Sequence, residues 1–82
     1  MKVIGPNIIP EVGNEYIHVP TGRKYEVIGI GKMKHPYGGH WIPSVTYKPL
    51  YEVSDEQATD VYTRELSSFQ THFADADGIV EV

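Results

Sequence analysis

Lys24-Tyr25-Glu26-Val27-Ile28-Gly29-Ile30 is the stretch on which the fold turns. Side chains alternate across an extended backbone, so Tyr25, Val27 and Gly29 fall on one face, and Lys24, Glu26, Ile28 and Ile30 on the other. Aromatic and β-branched residues at a period of two predict a strand with one half-buried face. Gly29 within it predicts a bulge or a close backbone approach, either of which would serve the tight curvature of a small barrel.

The same alternation extends outward in both directions. Upstream, Glu15-Tyr16-Ile17-His18-Val19 predicts a short strand, joined to the first by the turn residues Pro20-Thr21-Gly22. Downstream, residues 41–51 predict a further strand, with Val45 and Tyr47 on one face and Thr46 and Lys48 on the other. Pro43 and Pro49 cannot donate to a ladder, so they belong at strand ends or on an edge. Val61-Tyr62-Thr63-Arg64 predicts another short strand, residues 65–69 one helical turn, and residues 70–74 a last strand. Residues 52–59 are polar and acidic and predict an exposed loop, in which 54–58 is the other segment able to form a helical turn. Short strands punctuated by Pro and Gly define a mainly β fold: a small SH3-like barrel of about five antiparallel strands. One domain of 82 residues is expected, with its core in 13–73 and with 1–12 and 75–82 peripheral or frayed.

Composition narrows the function classes. There is no cysteine, which excludes disulfides and cysteine-based zinc sites and suits a reducing cytoplasm. No apolar run has the length of a signal peptide's core or a membrane span, so a soluble cytoplasmic protein is expected, without membrane association. The net charge is −4, unevenly placed. Residues 1–48 carry six basic against three acidic side chains, and residues 49–82 carry one against eight. That acidic excess argues against general nucleic-acid binding, which relies on clustered Lys and Arg, although Arg23, Lys24, Lys32 and Lys34 can form a local basic patch.

Reactive constellations are sparse. In His35-Pro36-Tyr37-Gly38-Gly39-His40, two histidines in a glycine-rich loop are weak metal candidates, with His18 or His72 as a third ligand. The plainer reading is a hairpin connection whose glycines supply positive φ. Gly29-Ile30-Gly31 follows a strand but opens no helix and lacks the third glycine of a dinucleotide fingerprint. Ser67, Ser68, Thr71 and His72 are neighbours without the spacing of a nucleophile turn. No cofactor and no enzymatic activity are expected. The aromatics are the more informative set: Tyr16, Tyr25, Tyr37, Trp41, Tyr47, Tyr51 and Tyr62. Tyrosine packs its ring while keeping a hydroxyl near water or a partner. Tyr25 and Tyr47 read as core, whereas Tyr37 and Trp41, beside the glycine loop, are placed to meet a ligand.

At Tyr16-Ile17-His18, Tyr25-Glu26-Val27-Ile28-Gly29, Val45-Thr46-Tyr47-Lys48-Pro49-Leu50-Tyr51 and Tyr62-Thr63-Arg64-Glu65-Leu66-Ser67-Ser68-Phe69, the chain resembles a known family. This is the small bacterial and phage domain of unknown function number sixteen fifty-three, whose members resemble SH3-like barrels. The likeness covers about residues 13–73. The sequence departs from the family pattern at Pro20-Thr21-Gly22, at Glu65 in place of a proline, and in a longer acidic loop after Tyr51. The resemblance implies a barrel and a bacterial or phage setting, in the latter case the host cytoplasm, and no chemistry. Arg64 matches the family arginine and is expected to pair with a loop carboxylate, or to touch a ligand.

Together these readings describe a non-catalytic binding or accessory module for a protein or peptide, with Tyr37, Trp41, Tyr51 and Arg64 as the candidate aromatic groove. The alternative is a phage-encoded inhibitor of a host protein acting through an acidic face of Glu52, Asp55, Glu56 and Asp60. Self-association stays open, since an exposed edge strand can pair with its copy.

Overall fold

The computed structural model of the chain describes residues 2–50 and 60–76. Its elements are β1 (Glu15–His18), β2 (Arg23–Lys34), β3 (Trp41–Pro49), β4 (Tyr62–Glu65), α1 (Leu66–His72) and β5 (Phe73–Asp75). All ladders are antiparallel, in one five-stranded sheet of order β4-β3-β2-β1-β5. Among the described residues the fold is mainly β with one short helix, as the alternation predicts.

The bulge falls where Gly29 predicts it. Val27 opposes Tyr47 and Gly29 opposes Thr46, so Ile28 is the extra residue. Strict alternation would leave Ile30 beside Glu26 on the outer face. The extra residue instead sets Ile30 opposite Val45, on the core side. No close backbone approach accompanies the bulge: a Cβ at Gly29 would meet Thr46 Cβ at an ordinary 3.8 Å.

The concave face of the sheet holds the core: Tyr16, Tyr25, Val27, Val45 and Tyr47, closed from α1 and β5 by Phe69 and Phe73. Rings build most of it. Phe69 and Phe73 stack at 4.0 Å between centroids, and Tyr47 meets both at 5.5 and 5.2 Å. In a flat sheet β4 and β5 would lie four strand spacings apart, roughly 19 Å. Yet the Arg64 guanidinium of β4 sits 5.4 Å from the Phe73 ring of β5. The sheet therefore curls strongly, while among the described residues no ladder joins β4 to β5. The described ladders form an open sheet, and the hydrogen-bonded closure of the expected barrel is not among them.

Three segments differ from the sequence expectation. The helix has seven residues and takes in 70–72, which sequence alternation assigns to the last strand; Gln70 is buried on its inner side. The N-terminal lead, expected to be peripheral, is tied down. The Ile4 N–H donates to Phe73 O at 2.8 Å, the Gly5 N–H donates to Gln70 O at 3.0 Å, and Pro10 is buried. Asp75, placed by sequence in a loose tail, pairs with Tyr16. Pro49 ends β3, and Pro43 lies within it beyond the reach of β4, which begins to pair only at Ser44. There β3 is locally an edge, and the missing N–H costs no ladder bond.

Candidate functional site

The β2–β3 hairpin projects past its neighbours. β1 pairs with β2 no further than Glu26, and the last backbone bonds from that side join Val27 to Gly13 and Asn14. β4 covers β3 only from Ser44 to Tyr47. Beyond these points the hairpin, residues 28–46, projects as an arm that is two-stranded from 32 to 43 and ends in the turn His35–His40.

Local hydrogen bonds shape the turn. The His35 N–H donates to His40 O at 2.8 Å, and Gly39 takes φ +67°. Backbone N–H groups of Tyr37 and Gly38 both donate to His35 Nδ1, at 3.2 and 3.0 Å. That nitrogen is therefore the unprotonated one, and its lone pair is engaged. His40 stacks on His35 at 4.8 Å. A Cβ at Gly38 would stand 2.5 Å from His40 Nδ1, so the glycine makes room for the stacked ring.

This geometry bears on the metal candidates. His18 and His72 sit at the Arg23 end of β2, and His35 and His40 beyond its Lys34 end. Twelve extended residues separate the two pairs by roughly 36 Å, so neither His18 nor His72 can complete a site with His35 and His40. Among the described residues no group of three or more metal-ligating side chains occurs. The four basic residues divide the same way: Arg23 and Lys24 lie at one end of β2, with Lys24 paired to Glu15 at 3.7 Å, and Lys32 and Lys34 at the other. They do not form one patch.

The proposed aromatic groove also separates. Tyr37 stands at the tip of the turn, 95% exposed, and Trp41 at the base of the turn, 64% exposed, directly across the ladder from Lys34. Tyr51, like Glu52, Asp55 and Glu56 of the acidic face, lies outside the described residues; Asp60 is described and exposed. Arg64 belongs to the body. Its Nε donates to the Tyr47 hydroxyl and its Nη1 to Ser68 Oγ, each at 3.3 Å, and it covers the Phe73 ring. Its described role is to hold two sheet edges together, with no part in a surface shared with Tyr37 and Trp41. Tyr25 and Tyr47 are in the core.

Sequence reading missed two features. One is Gln70, whose buried side-chain amide donates to Ile8 O at 2.7 Å and Pro6 O at 3.4 Å. No local pattern announces a contact spanning more than sixty residues. The other is the open side of β2, where Ile28 and Ile30 are 38% and 41% exposed. A cleft of about 230 Å³ lined by Ile42, Pro43, Glu65, Leu66, Ser67 and Gln70 lies where α1 meets β3, and is smaller than the usual range of ligand pockets. No helix among the described residues is long and apolar enough to cross a membrane.

No family model, no curated protein and no solved structure matches the chain.

Proposed function

We propose that the protein is a non-catalytic binding module that meets a protein or peptide partner through the projecting β2–β3 arm. The observation that carries this is the placement of Tyr37 and Trp41. Two large aromatic rings stand in solvent on the two-stranded end of the arm, residues 32–43, which adds nothing to the core, while the other described aromatics are buried or packed against one another. Exposed Tyr and Trp supply contact area at little entropic cost and dominate many interfaces. Resemblance to the small bacterial and phage domain supports a bacterial or phage setting, and the absence of cysteine suits a cytoplasmic one.

The test is affinity capture from a bacterial lysate with partners identified by mass spectrometry, repeated with Tyr37→Ala and Trp41→Ala. A specific partner retained by the parent chain and lost by either variant supports the reading. Equal retention by both variants would show that the arm is not the contact surface.

A further inference from the structure

The arm has an edge as well as a tip. Among the described residues, β2 has a neighbour on one side only from residue 28 to residue 34, and its alternate backbone N–H and C=O groups on the other side meet no ladder. Long open edges pair readily with another extended chain. Ile28 and Ile30, both more than a third exposed, give this edge apolar contact area.

Charge selects what can lie there. Pairing sets Ile30 opposite Val45, Lys32 opposite Pro43 and Lys34 opposite Trp41, so Ile30, Lys32, Lys34 and Trp41 share one face of the arm. No Asp or Glu occurs anywhere from residue 27 to residue 51, although the chain as a whole carries −4. Laying this edge against its own copy would bring lysines of both chains into neighbouring or diagonal positions of one ladder, which is unfavourable. The lysines that disfavour self-pairing are the groups an acidic strand would satisfy.

We propose that the open edge of β2, residues 28–34, takes up an acidic segment of a partner as an added antiparallel or parallel strand, with Lys32 and Lys34 facing its carboxylates and Trp41 covering its side chains. This rests on the arm being the contact surface, and names the partner's chemistry and the mode of its recognition.

The probe is a blocked peptide alternating glutamate with valine, followed by titration calorimetry and by backbone amide shifts. The expected result is binding with shifts concentrated on residues 28–34, lost by roughly tenfold or more in Lys32→Glu/Lys34→Glu, whose circular dichroism stays that of the parent. The same peptide N-methylated at alternate residues, unable to form a ladder, should not bind. Equal binding of the N-methylated peptide, unchanged binding by the lysine variant, or absence of shifts on 28–34 would each overturn the proposal. So would tighter binding of single-stranded oligothymidine to these residues, or sedimentation showing dimers built on them. Should the peptide fail while a captured partner still requires Tyr37 and Trp41, the strand-addition proposal falls and the binding-module reading stands.

Discussion

His18 packs its ring 5.0 Å from Phe73 and 6.3 Å from His72, with its Nδ1 2.9 Å from Thr21 Oγ1. Burial, then the positive charges of Arg64 and His72, hold its pKa below the ordinary 6.5. The unfolded chain therefore binds this proton more readily than the fold does. The contribution of His18 to stability is complete above pH 6.5 and is lost as pH falls from 6.5 through its lower folded value. Urea midpoints measured from pH 7.5 down to 5 should decline, and His18→Gln should flatten that decline; an identical slope in the variant would contradict the assignment. Arg64 shows how far a single residue could be read from sequence. Its pairing with hydroxyls and a ring across the curl depends on which strands the topology brings together, and no neighbour in sequence encodes that. Tyr25 and Tyr47 were legible because alternation alone decides which way they point.

Among the elements, the β2–β3 hairpin was read most completely from sequence. Its strands follow from alternation, its bulge from Gly29, and its turn from Gly38 and Gly39. Which face Ile30 occupies was not legible, because one extra residue inverts the parity of everything after it. The boundary between α1 and β5 was misread for a related reason: Phe69 and Phe73, four apart, stack as helical neighbours do, and a mixed polar–aromatic run of this length fits either period. The glycines of the hairpin are not equivalent. Gly39→Ala places a side chain at φ +67° and should cost about 1 kcal/mol or slightly more. Gly29→Ala meets only an ordinary contact and should stay within about 0.5 kcal/mol of the parent. Thermal unfolding of the two single variants checks the ordering; a larger loss at Gly29 would refute the account of the bulge.

For the whole molecule, the N-terminal lead makes the difference between a small open sheet and a covered one. A domain of this size buries a limited fraction of its surface, so each tether counts. Gln70→Ala removes two hydrogen bonds to the lead and leaves the carbonyls of Pro6 and Ile8 without that donor. A loss of about 1–3 kcal/mol is expected, read as a lower urea midpoint with an unchanged slope. A loss below about 0.5 kcal/mol would mean the lead is held mainly by its backbone bonds to Phe73 and Gln70. The clasp of Arg64 over Phe73 has a consequence for how the domain breathes. Neighbouring strands elsewhere are zipped by backbone bonds, whereas among the described residues no ladder joins the two ends of this sheet and Arg64 meets the Phe73 ring across the curl, so the molecule has a seam. Thermal fluctuation opens a structure where least must be broken. Amides of β5 should therefore exchange with solvent faster than those in the paired centre of β2 and β3, and Arg64→Leu should quicken the former while leaving the latter nearly unchanged.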